Sequence, residues 1–101
     1  PGFALGPGKA DLLEAVAATG SLASAGERLG MSAKRVWTLT REMNEAFRAP
    51  LIETEKGGSG GGGGARLSPL GEEVLARYRA MERAAGAAIE AGLDALRAEL
   101  R

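Results

Sequence analysis

Apolar positions recur at helical spacing in four stretches of the chain. Leu12, Leu13, Val16 and Ala17 predict a first helix over 9–19. Leu22, Ala25 and Leu29 predict a second. Val36, Leu39 or Thr40, Met43 and Phe47 place one apolar face on a third, over about 33–48. Boundaries follow from local chemistry. Ser21, Ser32 and Ser68 stand where N-cap hydroxyls belong, and Gly20 and Gly30 where left-handed C-caps belong. Pro50 ends the third helix, because the residue before a proline disfavours helical angles.

Period-two patterning appears only briefly. Leu51-Ile52-Glu53-Thr54 and Ala65-Arg66-Leu67 read as two short strands, and Phe3-Ala4-Leu5 as a further possible strand before the Gly6-Pro7-Gly8 turn. Between the paired strands runs glycine-rich sequence from Gly57 to Gly64. It fits an engineered flexible linker or a mobile wing tip. A nucleotide-binding loop is disfavoured because no Gly-Lys-Ser/Thr follows. The symmetric flanking strands favour the wing, with Lys56 and Arg66 at its base as phosphate contacts and a tip expected to be poorly ordered without DNA.

The last helix begins at Ser68-Pro69 and is expected to run to the C-terminus, about 45 Å at 1.5 Å per residue. Its apolar positions continue past any length that the rest of the chain can cover. Val74, Tyr78, Met81, Ala85, Ile89, Leu93 and Leu96 form a stripe that needs a partner, and the simplest is the same helix of a second copy. The small residues Gly86, Ala88 and Gly92 would permit close approach.

The expected fold is mainly α with a small β-hairpin: a winged helix-turn-helix over 1–68 and a long C-terminal dimerisation helix over 69–101. Only Gly30-Met31-Ser32 separates the second and third helices, the short turn of a helix-turn-helix, which leaves the third helix free to enter a major groove. Opposite its apolar face lie Lys34, Thr38 and Arg41, with Arg35 beside them and Ser32 at its N-terminus. Lys and Arg neutralise phosphate or read guanine edges, and a helix N-terminus attracts phosphate. An ordinary solvated helix face would look similar, and Glu42 and Glu45 dilute the field. The sole tryptophan, Trp37, is expected to pack where this helix meets the hairpin rather than to stack on nucleic acid.

Composition narrows the classes. A hydrophobic content of 45% is that of a folded domain. The chain has neither cysteine nor histidine, which removes disulfides, thiolate chemistry and the commonest general base. No carboxylates converge, so neither an enzyme, a cofactor nor a metal site is expected. No apolar run is long enough to span a membrane, and a cytoplasmic location is expected. The 13 basic and 13 acidic residues sum to zero, so DNA binding must depend on where charge sits. That balance also keeps open an alternative, a winged helix that docks proteins and no DNA.

A set of short segments resembles a known family: Gly6-Pro7-Gly8-Lys9, Leu12-Leu13-Glu14-Ala15, Gly20-Ser21-Leu22, Leu29-Gly30-Met31-Ser32, Lys34-Arg35-Val36-Trp37, Met43-Asn44, Pro50-Leu51-Ile52-Glu53-Thr54, the polyglycine turn, and Ala65-Arg66-Leu67-Ser68 with Gly71. Together these are similar to the N-terminal domain of the ModE-type molybdate-dependent transcriptional regulators, whose DNA-binding domain is related to that of LysR-type regulators. The similarity reaches to about Arg83. It implies a homodimer on a double-stranded operator of two-fold symmetry, with repression the expected sense of regulation. Carried over by position, Ser32, Ala33, Lys34, Arg35, Thr38 and Arg41 are the recognition-helix contacts, and Lys56 and Arg66 the wing contacts. The given sequence ends with the long helix, as either a fragment of a longer regulator or a stand-alone member would, and these residues are not expected to bind molybdate themselves.

Overall fold

Serine hydroxyls cap the starts of three of the four helices, and left-handed glycines end the first two. In a computed structural model, which describes residues 5–55 and 63–101, α1 spans Pro7–Thr19, α2 Leu22–Leu29 and α3 Ala33–Ala46. Strands β1 (Ile52–Thr54) and β2 (Ala65–Leu67) follow, and then α4 (Pro69–Arg97). Gly20 and Gly30 close α1 and α2 at φ of 77° and 68°, where a side chain would be strained. The side chains of Ser21, Ser32 and Ser68 accept hydrogen bonds from the N–H groups of Ser24, Arg35 and Gly71 at 2.9, 3.1 and 2.9 Å. Each satisfies one of the donors that a helix start leaves without a partner.

Two boundaries differ from expectation. α1 starts at Pro7, because proline's fixed φ suits a first helical position, so Gly6-Pro7-Gly8 is a helix start and not a turn. α3 ends at Ala46, short of Arg48. Leu5 belongs to no strand but is buried in the core. The remainder of that expected strand, Lys56 and most of the glycine run lie outside the described residues.

One core holds the body together. Leu12, Leu13 and Val16 of α1, Ala25 of α2, Val36, Leu39 and Met43 of α3, Leu51 and Ile52 before and within β1, and Ala65 and Leu67 of β2 are all buried in it. The strands pair antiparallel with Ile52 opposite Leu67 and Thr54 opposite Ala65, so one hairpin face joins this core. α2 and α3 pack closely because Gly26 has no side chain. A Cβ there would lie 2.9 Å from Val36 Cγ2.

The start of α4 completes the core, with Leu70, Val74, Leu75 and Tyr78 half-buried against it. Arg79 then bonds Asp11 and Glu14 of α1 at 2.8 and 3.0 Å, and Glu82 at 2.8 Å. From Met81 onward every residue is exposed, and the molecule measures 66 × 28 × 22 Å. The projecting stem is the cause. The molecule's radius of gyration is 17.1 Å, against about 13 Å for a compact chain of this length.

Candidate nucleic-acid interface

The third helix divides cleanly into two faces. Val36, Leu39, Thr40 and Met43 are buried, whereas Ser32, Ala33, Lys34, Arg35 and Arg41 are exposed and Thr38 is half-exposed. The six predicted recognition residues therefore share one accessible surface. Lys34, Arg35 and Arg41 form no ion pair among the described residues. Glu42, which dilutes this field in the sequence, turns to Lys9 of α1 at 3.3 Å. Thr38 donates its hydroxyl hydrogen to the carbonyl of Lys34 at 3.0 Å, and its oxygen retains acceptor capacity.

Trp37 corrects the sequence-based expectation. It does not pack at the helix–hairpin junction but is 62% exposed on α3. The junction is occupied instead by Asn44. Its Oδ1 accepts from the N–H groups of Leu51 and Ile52 at 2.8 and 3.0 Å, and its Nδ2 donates to the Ile52 carbonyl at 3.0 Å. This amide fixes the hairpin against the C-terminal end of α3. Sequence reasoning gave Asn44 no role. The available signal was a poor helix former in a helix interior, a few residues before Pro50.

At the base of the wing, Arg66 is already occupied. Its Nε and Nη1 donate to Glu53 and Glu55 at 3.2 and 2.9 Å, and those two carboxylates, Glu53 foremost, raise its pKa above the ordinary value. Its predicted role as a phosphate contact thus competes with two resident acids, and Lys56 lies outside the described residues.

Of the predicted pairing residues on α4, Val74 and Tyr78 lie half-buried against the chain's own core. Met81, Ala85, Ile89, Leu93 and Leu96 remain exposed along the stem. Arg79 is held above its ordinary pKa, by Asp11 first and by Glu82 and Glu14 with it. Among the described residues no cluster of three or more acidic groups could hold a metal ion, and no helix is long and apolar enough to cross a membrane.

A tri-helical body with its third helix presented outward, a two-stranded hairpin beside it and a helical stem define a winged helix-turn-helix. Residues 9–72 match the bacterial regulatory helix-turn-helix proteins of the lysR family, and the chain belongs to that family. Within it the likeness is to ModE-type N-terminal domains. The chain is 43% identical over 72 residues to the molybdenum transport protein ModE of Herbaspirillum seropedicae, covering 71% of this chain and 26% of that protein. It is 39% identical over 81 residues to the molybdenum-pterin-binding protein MopB of Rhodobacter capsulatus, covering 80% and 30%. With the DNA-binding transcriptional dual regulator ModE of Escherichia coli K12 it shares 35% over 72 residues, covering 71% and 27%. The chain thus spans less than a third of the length of these relatives.

Proposed function

We propose that this chain binds double-stranded DNA as a transcription regulator of the ModE type, in the cytoplasm, as a homodimer and without catalysing a reaction. α3 enters the major groove. Lys34, Arg35 and Arg41 meet phosphates and guanine edges, with Ser32, Ala33 and Thr38 beside them and the wing cations Lys56 and Arg66 flanking the backbone. Residues 69–101 serve as the pairing element. Two copies joined through Met81, Ala85, Ile89, Leu93 and Leu96 would place their third helices about 34 Å apart, one turn of DNA, on a two-fold symmetric operator. Repression is the proposed outcome, by occupancy of a promoter. No molybdate site is proposed in these residues.

The observation that supports this reading best is the exposed set Lys34, Arg35 and Arg41, without an ion pair among the described residues, opposite a buried face of the same helix. The test is a mobility-shift titration with duplex DNA from upstream of the chain's own operon. Binding is expected at low salt and should weaken steeply as salt rises. Arg41→Ala should cost about 1–3 kcal/mol if it makes a base contact. No shift at low salt overturns the proposal. For the pairing element, Leu93→Glu with Leu96→Glu should give monomers by light scattering, and an unchanged dimer would reject the interface.

A further inference from the structure

Among the described residues, the large apolar side chains left exposed are Trp37 and five on the stem, Met81, Ile89, Leu93, Leu96 and Leu100. The stem residues have an occupant in the proposed dimer. Trp37 has none, and it stands alone on the body. Its exposure is not a by-product of a crowded core, because α3 fills its buried face with Val36, Leu39, Thr40 and Met43. A single exposed apolar residue usually needs no explanation. This one is the largest side chain available, and its position is not random.

At 3.6 residues per turn, Trp37 lies about 40° around the helix axis from Arg41 and about 60° from Lys34. On its other flank, about 20° away, is Asn44, which bonds the hairpin. The indole therefore occupies the wing side of the basic face. A cation-lined helix that approaches a polyanion would carry this ring into the groove with it. A base presents one apolar group in the major groove, the 5-methyl of thymine. Water-exposed indole surface and a water-exposed methyl group lose hydration together when they meet.

We propose that Trp37 is a specificity-determining residue that reads a thymine 5-methyl group in each half-site. The inference rests on the DNA-binding reading above. It assigns to Trp37 discrimination that the charged residues cannot supply, since Lys and Arg choose among acceptors and are indifferent to a methyl group.

The test uses duplexes selected by the intact chain from a random library, in which each thymine is replaced singly by uracil. Uracil keeps every hydrogen-bonding group and lacks only the methyl. The wild-type chain should lose about three- to fivefold in affinity at one thymine per half-site, the value of one buried methyl group. Trp37→Ala should bind the parent duplex more weakly and lose nothing further on that replacement. Trp37→Phe, which keeps an apolar ring, should retain part of the sensitivity. Because the chain has one tryptophan, its fluorescence should also shift on addition of the duplex and shift less with the uracil version. Equal losses in wild type and Trp37→Ala, or no loss in either, overturn the proposal and leave the DNA-binding reading intact. An altered oligomeric state of Trp37→Ala without any change in uracil sensitivity assigns the ring to protein contact and also overturns it. If no duplex is selected at all, both readings fall.

Discussion

Gly71 sits in the first turn of α4, directly over the backbone of Leu51. A Cβ built there would lie 2.2 Å from the Leu51 carbonyl oxygen and 3.0 Å from its carbon. Neither is the tip of a flexible side chain, so backbone must move. That same oxygen accepts from the Ser68 N–H at 2.9 Å and from the Ser68 hydroxyl at 3.3 Å. Moving Leu51 or α4 far enough to relieve Gly71→Ala therefore breaks the junction between hairpin and stem. Overpacking costs about 1–3 kcal/mol, and stranding the Ser68 N–H a similar amount. Helix propensity returns about 1 kcal/mol. The net loss is about 1–5 kcal/mol, or roughly 5–30 °C in melting temperature for a domain of this size. Gly8→Ala is the control. It makes the same chemical change in α1, where nothing lies within 4 Å of the new methyl, and is expected to be neutral or to gain up to about 1 kcal/mol. The comparison cancels the entropy that alanine removes from the unfolded chain. Thermal and urea unfolding followed by circular dichroism, at one protein concentration, measure the difference. If the two variants melt within about 4 °C of each other, roughly 1 kcal/mol or less, the close approach of α4 to Leu51 is wrong.

Further substitutions separate the wing, the core and the stem. Asn44→Ala removes three hydrogen bonds to Leu51 and Ile52 and should cost about 2–4 kcal/mol in urea unfolding, since it leaves two buried N–H groups without a partner. The Thr40 hydroxyl is buried with no hydrogen-bond partner among the described residues, and Thr40→Val should raise stability by about 1 kcal/mol by the same measurement. Arg79→Met should lower stability by no more than about 1–2 kcal/mol, because its three carboxylate partners are 40–63% exposed and such pairs are individually weak. Faster amide exchange at the α1–α4 junction should accompany that loss. Glu53→Gln with Glu55→Gln frees Arg66 for phosphate; DNA binding should tighten and its log–log salt slope should steepen by about 1 per subunit in a mobility-shift titration.

What could be read from the sequence was decided within a few residues of chain. The serine and glycine caps are such cases: Ser32 and Gly30 fix the turn between α2 and α3 with no help from the rest of the fold. The two faces of α3 are equally legible, because Val36 and Met43 repeat at the same seven-residue spacing as Lys34 and Arg41 but on the opposite side of the helix. Features that depended on distant partners were not. Nothing local to Trp37 shows which flank of α3 the hairpin covers; that is set by Asn44 reaching Leu51 and Ile52. Arg66 reads as a free wing cation; strand register, which the glycine-rich connection leaves open in the sequence, puts it opposite Glu53. Val74 and Tyr78 continue the stem's apolar stripe without a break. Only the three-dimensional packing reveals that the body's own core takes up part of both.

The ion pairs also bear on how a chain of zero net charge could bind a polyanion, as the proposed function requires. The cations Lys9, Arg66, Arg77, Arg79 and Arg97 are held by carboxylates on the body, hairpin and stem. Among the described residues, Lys34, Arg35 and Arg41 on the outer face of α3 are not, nor are Arg28, Arg48, Arg83 and Arg101. A phosphate that approaches Arg66 must displace two acids, whereas one that approaches Lys34, Arg35 or Arg41 displaces only water and counterions. Affinity should therefore draw more on the third helix than on Arg66, and the salt dependence separates the two. If only the three α3 cations of each subunit engage in a dimer, they neutralise about six phosphates, for a log–log slope of about −5. If Lys56 and Arg66 join them in both subunits, the slope approaches about −9. A slope near the first value means that the acids at the wing base keep Arg66 from the DNA. A slope near the second means that binding pulls the wing away from Glu53 and Glu55, and the order imposed by those ion pairs would then belong to the free protein alone.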